Sequence, residues 1–323
     1  MCTLLFNQSN NGSRKVGISP PYQSRPRWGR VDSQRPNKPK TKMSLPVAHR
    51  LAVQAAASSG RGRIERVLFL STVWPERSSS AAGVRTSDLV SSFLKRDIGV
   101  DFAASTAIDE RSKPHVDALE DLGVRLHHVL PNQEDEFVAT LGRTRPDVVV
   151  FDRYYVEEMF SWMVAKHAPD VMRVLDMQDI HSLRGWREQR LAELLKERAG
   201  HVDLGCILSA VPPATYDPCL RELSSIYRSD LSLVCSPREL EMLTDTFNVP
   251  PCLLAEAGFF SDGQQNLDCR DFSSRRNAVM IGNFLHPPNK DSVLWACTEL
   301  WPAVRAQIGD DARLDVYGAY WCV

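Results

Sequence analysis

No stretch of this chain stays apolar for the 18 or more residues that a membrane-crossing helix needs, so no segment reads as a transmembrane span. Nor is there a secretory signal with an apolar core, which argues for a cytoplasmic or organellar protein rather than a secreted one. The eight cysteines (Cys2, Cys206, Cys219, Cys235, Cys252, Cys269, Cys297 and Cys322) stand singly, without a CxxC pair or a Cys/His cluster at zinc spacing. That excludes the common structural metal sites and suits a reducing compartment, where most thiols act as small apolar groups. The GxGxxG fingerprint of dinucleotide-binding turns is missing too. Acid is scarce at one end only. Residues 1–66 carry 13 Lys/Arg against 2 Asp/Glu, a net of +11, which leaves 26 against 38, a net of −12, for residues 67–323. An acidic body argues against a nucleic-acid partner.

The basic head, residues 1–65, is rich in Pro, Ser, Asn and Arg and has no hydrophobic periodicity up to about Pro46, a composition expected to be disordered. Three readings compete for it. Its Arg/Ser enrichment resembles an organellar transit peptide; a polybasic membrane patch would need an amphipathic or lipid anchor that is not evident; and it also reads as a dispensable tail, or an extension ahead of a start at Met43.

From residue 66 the pattern changes to apolar strands alternating with helices. Strands are expected at 67–73, 100–104, 124–129, 148–151, 171–175, 231–235 and 252–254. Helices are expected at 85–95, 116–122, 134–141, 156–167, 184–198, 220–227 and 237–247, the last opened by a capping box of Ser236 and Glu239. Strands apolar on both faces and separated by helices predict a doubly wound, parallel α/β sheet, a Rossmann-like domain over residues 66–258. Residues 201–218 look inserted. A Gly/Asp/Ser/Gln-rich linker, 259–276, leads to a strand (278–281), a turn at Gly282 and Asn283, a helix (290–308) and a strand (313–317). Residues 277–323 therefore predict the first βαβ unit of a second Rossmann-like domain. Such a unit buries too little apolar surface to stand alone, so the reading is of a second domain that is incomplete.

Ligands of a doubly wound sheet gather beyond the carboxyl ends of its strands, and four such places carry chemistry. The first holds Gly83 and Arg85, where a helix start meets a phosphate or sugar, or where the loop simply flexes. The second holds Asp152 and Arg153, suited to a polar acceptor, with Asp152 as helix cap the competing reading. The third concentrates Asp176, Asp179, His181 and Arg184 within nine residues of a buried strand. Such charge is costly unless paired or used, and the competing reading is a mutual salt-bridge network with Asp179 or Ser182 capping the helix. The fourth sets Gly282 and Asn283 ahead of Lys290, either a diphosphate site or an ordinary turn capped by Asn289.

Four blocks in order (Val174–Arg184, Arg221–Leu231, Cys235–Glu239 with Leu243, and Ile281–Asp291 through Val316–Ala319) give residues 66–323 a further meaning. They resemble the retaining glycosyltransferases of family 4, which have the GT-B fold of two facing Rossmann-like domains. The resemblance implies sugar transfer from a nucleotide-sugar donor to an unidentified acceptor, with no other cofactor and no obligatory metal. It matches Gly83 to the glycine loop near the transferred sugar and phosphates, His181 to a histidine near the donor sugar, and Gly282 and Lys290 to the start of the donor diphosphate site. Combined with the strand-end reading, the expectation is Gly83, Arg85, Gly282, Asn283 and Lys290 on the donor, Asp152, Arg153, Asp176 and Arg184 on the acceptor, and His181 with Asp179 at the catalytic centre. The family's paired glutamates, which hold ribose and sugar, have no counterpart before Val323, so the chain as written is expected to be inactive. A noncatalytic acceptor-binding or regulatory module is the alternative. A metal-dependent hydrolase built on Asp176, Asp179 and His181 is a weaker third, since it needs further ligand clusters.

Overall fold

The computed structural model describes residues 63–197, 204–259, 275–309 and 311–320, together with Asp271 and Ser273. The expectations for residues 1–62 and for most of the 259–276 linker lie outside the described residues. Contacts divide the chain into two units, residues 46–269 and a second that includes residues 270–323. Among the described residues no helix is long and apolar enough to cross a membrane.

The larger unit is a seven-stranded sheet, every pairing parallel. In chain order it runs β1 (Arg66–Ser71), α1 (Ala81–Leu94), β2 (Gly99–Ala104), α2 (Lys113–Asp121), β3 (Arg125–His128), α3 (Glu134–Thr144) and β4 (Val148–Asp152). It continues with α4 (Tyr154–His167), β5 (Met172–Asp176), α5 (His181–Glu197), α6 (Leu204–Leu208), α7 (Asp217–Arg228), β6 (Leu231–Val234), α8 (Pro237–Asp245) and β7 (Leu254–Glu256). The strand order is β3-β2-β1-β4-β5-β6-β7, so the chain builds outward from β1 in one direction and then from β4 in the other. This is a doubly wound Rossmann-like sheet.

Alternation within the strands explains the two cores. Val67 and Phe69 of β1 face one side, with Phe93, Phe102 and Leu119, while Leu68 and Leu70 face the other, with Phe137, Phe151, Phe160 and Ile226. Each central strand is apolar throughout because helices cover both faces. Among the described residues, the first in the core is Ile64, two residues ahead of the boundary expected from the sequence.

Several local expectations are corrected. Helix α1 opens at Ala81, capped by the Ser80 hydroxyl, which accepts the Gly83 amide at 2.9 Å, so Gly83 lies inside the first turn and not in a loop. A Cβ there would sit 2.4 Å from the Glu76 carbonyl oxygen; only glycine lets the 75–80 segment fold back onto the helix. Ser236 occupies the N-cap of α8 without a side-chain bond, and the Glu239 carboxylate accepts the Ile180 amide at 3.1 Å instead of closing a capping box. The apparently inserted stretch is pinned to α5: Arg187 donates to the Leu208 and Ala210 carbonyls, and the Trp186 and Tyr216 rings lie 5.2 Å apart.

In the second unit, β8 (Ala278–Asn283) pairs in parallel with β9 (Leu314–Ala319). Gly282 and Asn283 complete the strand, so the turn falls after them and not on them. The connection, expected as one helix, is α9 (Pro287–Trp295), a π turn (Ala296–Leu300) and α10 (Trp301–Ile308). Pro302 accounts for the break, because it has no N–H for the carbonyl four residues back and its ring crowds that carbonyl.

One buried contact ties the larger unit together. Arg85 on α1 has no exposed surface. Its Nε lies 3.0 and 3.1 Å from the two Asp176 carboxylate oxygens, its Nη2 lies 2.7 Å from Oδ1, and its Nη1 donates to the carbonyls of Ala257 at 2.5 Å and Gly258 at 2.8 Å. Removing one member of a buried pair strands the other charge. Asp176→Asn and Arg85→Met are each expected to lower unfolding free energy by about 3–5 kcal/mol, with non-additivity of at least about 1 kcal/mol in the double variant. Urea denaturation measures this, and single losses below about 1 kcal/mol would contradict it.

Candidate functional site

The order of the sheet reverses between β1 and β4, and the crevice beyond the carboxyl ends of such a pair is where doubly wound proteins bind ligands. A cavity of about 230 Å³ opens there. Ser71 ends β1 and Asp152 ends β4; Trp74, Pro75 and Glu76 come from the loop after β1, Ala82, Gly83 and Thr86 from the start of α1, Arg111 from the loop after β2, and Arg153 from the residue after β4.

Asp152 is the buried charge of this cavity, 7% exposed. Its carboxylate accepts the Ser71 hydroxyl at 2.8 Å and the Gln178 amide at 3.1 Å, and Arg153 Nε stands 3.8 Å away. It does not cap α4; the N-cap position is Arg153, without a side-chain bond. Gln178 also donates to Asp176 at 3.2 Å and to Thr86 at 3.3 Å, so one neutral amide separates two carboxylates. Arg153 and Gln178 have φ of 76° and 64°, left-handed values that side chains with a Cβ adopt at a cost. Both follow strand ends at the crevice.

The rim is polar and of mixed charge. Amides of Ser79 and Ser80 bond the Glu76 carbonyl and that of Gly83 bonds Ser80, which leaves Ala81 and Ala82 as the first-turn amides of α1 without a protein acceptor among the described residues. Arg111 pairs with Glu76 at 3.1 Å, and Arg153 donates to the Tyr155 hydroxyl at 2.6 Å.

Beyond β5 lies a second cluster. His181 Nδ1 stands 3.1 Å from the Asp179 carbonyl and 3.2 Å from its carboxylate, which in turn accepts from Arg184 at 3.1 Å. With only acceptors near it, Nδ1 carries the proton and Nε2 keeps its lone pair. Burial lowers the imidazole pKa, opposed by Asp179, so the ring is neutral near pH 7. The rings of Tyr154 and Tyr155 pack edgewise on it at 5.8 and 6.1 Å. Neither Asp179 nor Ser182 caps α5. Glu222, from α7, accepts the His181 and Ser182 amides at 2.9 and 3.1 Å and the Ser182 hydroxyl at 2.6 Å, while Glu239 holds the Ile180 amide. Desolvation pushes the Glu222 carboxyl up to about 7, although the Ser182 and His181 donors pull the other way.

The residues singled out in sequence thus fall into separate places. Gly83, Asp152 and Arg153 line the cavity; Asp179, His181 and Arg184 form the neighbouring cluster, joined to it through Tyr155. Arg85 and Asp176 are corrected: both are buried and spent on each other, so neither is open to donor or acceptor. Gly282, Asn283 and Lys290 belong to the second unit. There Pro287 and Pro288 occupy the first two positions of α9 and have no N–H, and the Asn289 amide bonds the His286 carbonyl, so that helix start offers an anion little but the exposed Lys290. Asn289 is not the cap; its amide donates to the Asn283 carbonyl at 2.9 Å. Ser71, Trp74, Glu76, Arg111 and Gln178 were missed. Gln178 alone had a signal, a polar residue between two aspartates after a strand.

No family model matches the chain, and no curated protein matches it. Solved structures do. A glycotransferase of kitacinnamycin is 18% identical (TM-score 0.43), with 78% of this chain and 65% of that chain covered. MurG of Acinetobacter baumannii is 8% identical over the same shares, with a TM-score of 0.43. A putative UDP-N-acetylglucosamine 2-epimerase from Listeria monocytogenes is 12% identical, covering 80% of this chain and 63% of that chain, with a TM-score of 0.44. The chain spans less than two thirds of the length of each.

Two measurements probe the residues around the site. Arg153→Gly is expected to be more stable than Arg153→Ala by about 1 kcal/mol in denaturant unfolding, because only glycine takes the left-handed backbone without strain; the reverse order would remove the strain argument. For Glu222 the folded carboxyl titrates at about 7, above an unfolded value near 4.5. Its protonated form is the one folding favours, so this contribution is complete below about pH 4.5 and lost as pH rises through 7, on the order of 3 kcal/mol at most. Glu222→Gln should therefore melt progressively higher relative to the wild type between pH 5 and pH 8. A gap that stays constant with pH would refute the shift.

Proposed function

We propose that the larger unit is the acceptor-binding domain of a GT-B-type glycosyltransferase, of the retaining, family 4-like kind that its sequence blocks resemble. The supporting observation is the cavity between β1 and β4, where one buried carboxylate, Asp152, faces a helix start with two uncommitted amides. A sugar or alcohol hydroxyl donates to Asp152. Arg153, Arg111 and the α1 amides offset negative charge that develops on the acceptor oxygen or on a departing diphosphate. His181 is neutral with its Nε2 free to accept, and serves as a hydrogen-bonding group for the transferred sugar; Asp179 fixes its tautomer and Arg184 holds Asp179. In this reading the donor is a nucleotide sugar and no metal is required. Arg85 and Asp176 act only in support.

A second reading is favoured by Pro287 and Pro288, which deprive α9 of the amides a diphosphate would use: an acceptor-binding module that does not transfer. Asp152→Asn separates the cases. Binding of mono- and disaccharides by saturation-transfer NMR, and consumption of UDP-, GDP- and ADP-sugars by mass spectrometry, are run on both forms. The variant is expected to weaken saccharide binding about tenfold and, where transfer occurs, to lower turnover at least about a hundredfold. Binding lost in the variant without any transfer by the wild type supports the module; saccharide binding indifferent to Asp152 overturns both.

A further inference from the structure

Beyond the strand ends two groups of side chains stand apart: the crevice with Asp152 and Arg153, and the cluster of Asp179, His181 and Arg184. Tyr155, the second residue of α4, touches both. Its hydroxyl accepts from Arg153 Nη1 at 2.6 Å, and the Arg153 guanidinium carbon stands 5.9 Å from its ring centre. Its ring meets the imidazole of His181 at 6.1 Å with the planes 87° apart, the edge-to-face packing that aromatic rings favour. Tyr154 meets the same imidazole at 5.8 Å, but the cation over its ring is Arg221, which does not line the crevice. The Arg153 side chain is 19% exposed and stands on a left-handed backbone. Its Nε lies 3.8 Å from Asp152, too far for a hydrogen bond, so the Tyr155 hydroxyl sets where this charge sits.

We infer that Tyr155 is the positioning residue that couples the crevice to His181: its hydroxyl holds the Arg153 guanidinium in place and its ring covers the imidazole. This rests on the glycosyltransferase reading for what the two places do, whereas the coupling itself is a matter of contact and charge. The groups facing His181 are Asp179 and Arg184 of its own segment, Glu222 of α7 at 3.8 Å, and Arg153, Tyr154 and Tyr155 at the head of α4. Desolvation is the largest influence on the imidazole and lowers its affinity for a proton; Asp179 raises that affinity, and Arg184 and Arg153 lower it. The Tyr155 ring adds to the desolvation, and its hydroxyl fixes the charge of Arg153. Both keep Nε2 unprotonated, as an acceptor. A molecule that draws on Arg153 from within the crevice therefore changes the field at His181.

The test follows the His181 imidazole by NMR titration of the full chain, with His181→Gln assigning its resonance. Tyr155→Phe keeps the ring and releases Arg153, and is expected to move the midpoint up by about 0.3–0.5 in pH. Tyr155→Leu also uncovers the imidazole and moves it further, by about 1 in pH; should that variant not fold, Tyr155→Phe decides the matter alone. Arg153→Gln should raise the midpoint at least as much as Tyr155→Phe, and adding Tyr155→Phe to it should raise it no further, because the hydroxyl acts through that guanidinium. A midpoint in Tyr155→Phe within about 0.1 of the wild type, or shifts that add in the double variant, overturns the coupling. So does a loss of stability in urea with the titration unmoved, which marks a packing residue. Absence of saccharide binding by the wild type overturns the acceptor reading and leaves the titration to decide the coupling, so the two failures are told apart.

Discussion

A guanidinium with no exposed surface survives in a folded protein only where acceptors surround it, and Arg85 has a carboxylate on one side and two backbone carbonyls on the other. The pair has a geometric consequence larger than its net energy, since desolvation cancels much of the attraction. It fixes helix α1 against the end of β5 and against the chain leaving β7. With α1 so placed, Gly83 meets the Glu76 backbone and Thr86 meets Gln178. The crevice at the strand reversal has its walls because of that placement.

The crevice also holds strain. Arg153 and Gln178 follow adjacent strands with left-handed backbones, each at a cost of order 1–3 kcal/mol. The surroundings hold them there: the Arg153 amide extends the sheet ladder to the Asp176 carbonyl at 2.9 Å, and the Gln178 side chain bridges the two carboxylates. The result is a buried acceptor, Asp152, kept apart from a second carboxylate that already has its cation. The α5 cluster follows a related logic, with amides that could meet a ligand anion taken instead by Glu222 and Glu239 from two other helices.

Much of the architecture was legible in residue order. Central strands such as Val148–Asp152 are apolar on both faces, which only a sheet covered by helices on both sides satisfies, so the parallel Rossmann-like fold followed from local pattern. Element ends were less legible. Helix α1 begins four residues ahead of its expected start because Ser80 caps it, and the capping box at Ser236 failed because Glu239 found a better partner across the fold. The residues after the strands were recognised as the ones to inspect, yet Ser71, Glu76 and Arg111 carried no local mark.

The contrast is sharpest at Asp152 and Asp176. Sequence alone determined that each ends an apolar strand and emerges where ligands gather. The two are register partners on neighbouring strands, with near-identical local context. Which one lines the cavity and which is locked in an ion pair with a fully buried arginine was decided by Arg85, 91 residues earlier than Asp176. Periodicity reports burial along one segment, because the segment's own side chains must divide between core and water. Pairing between segments depends on where packing brings distant side chains, and that information exists only once the sheet and α1 have closed on each other.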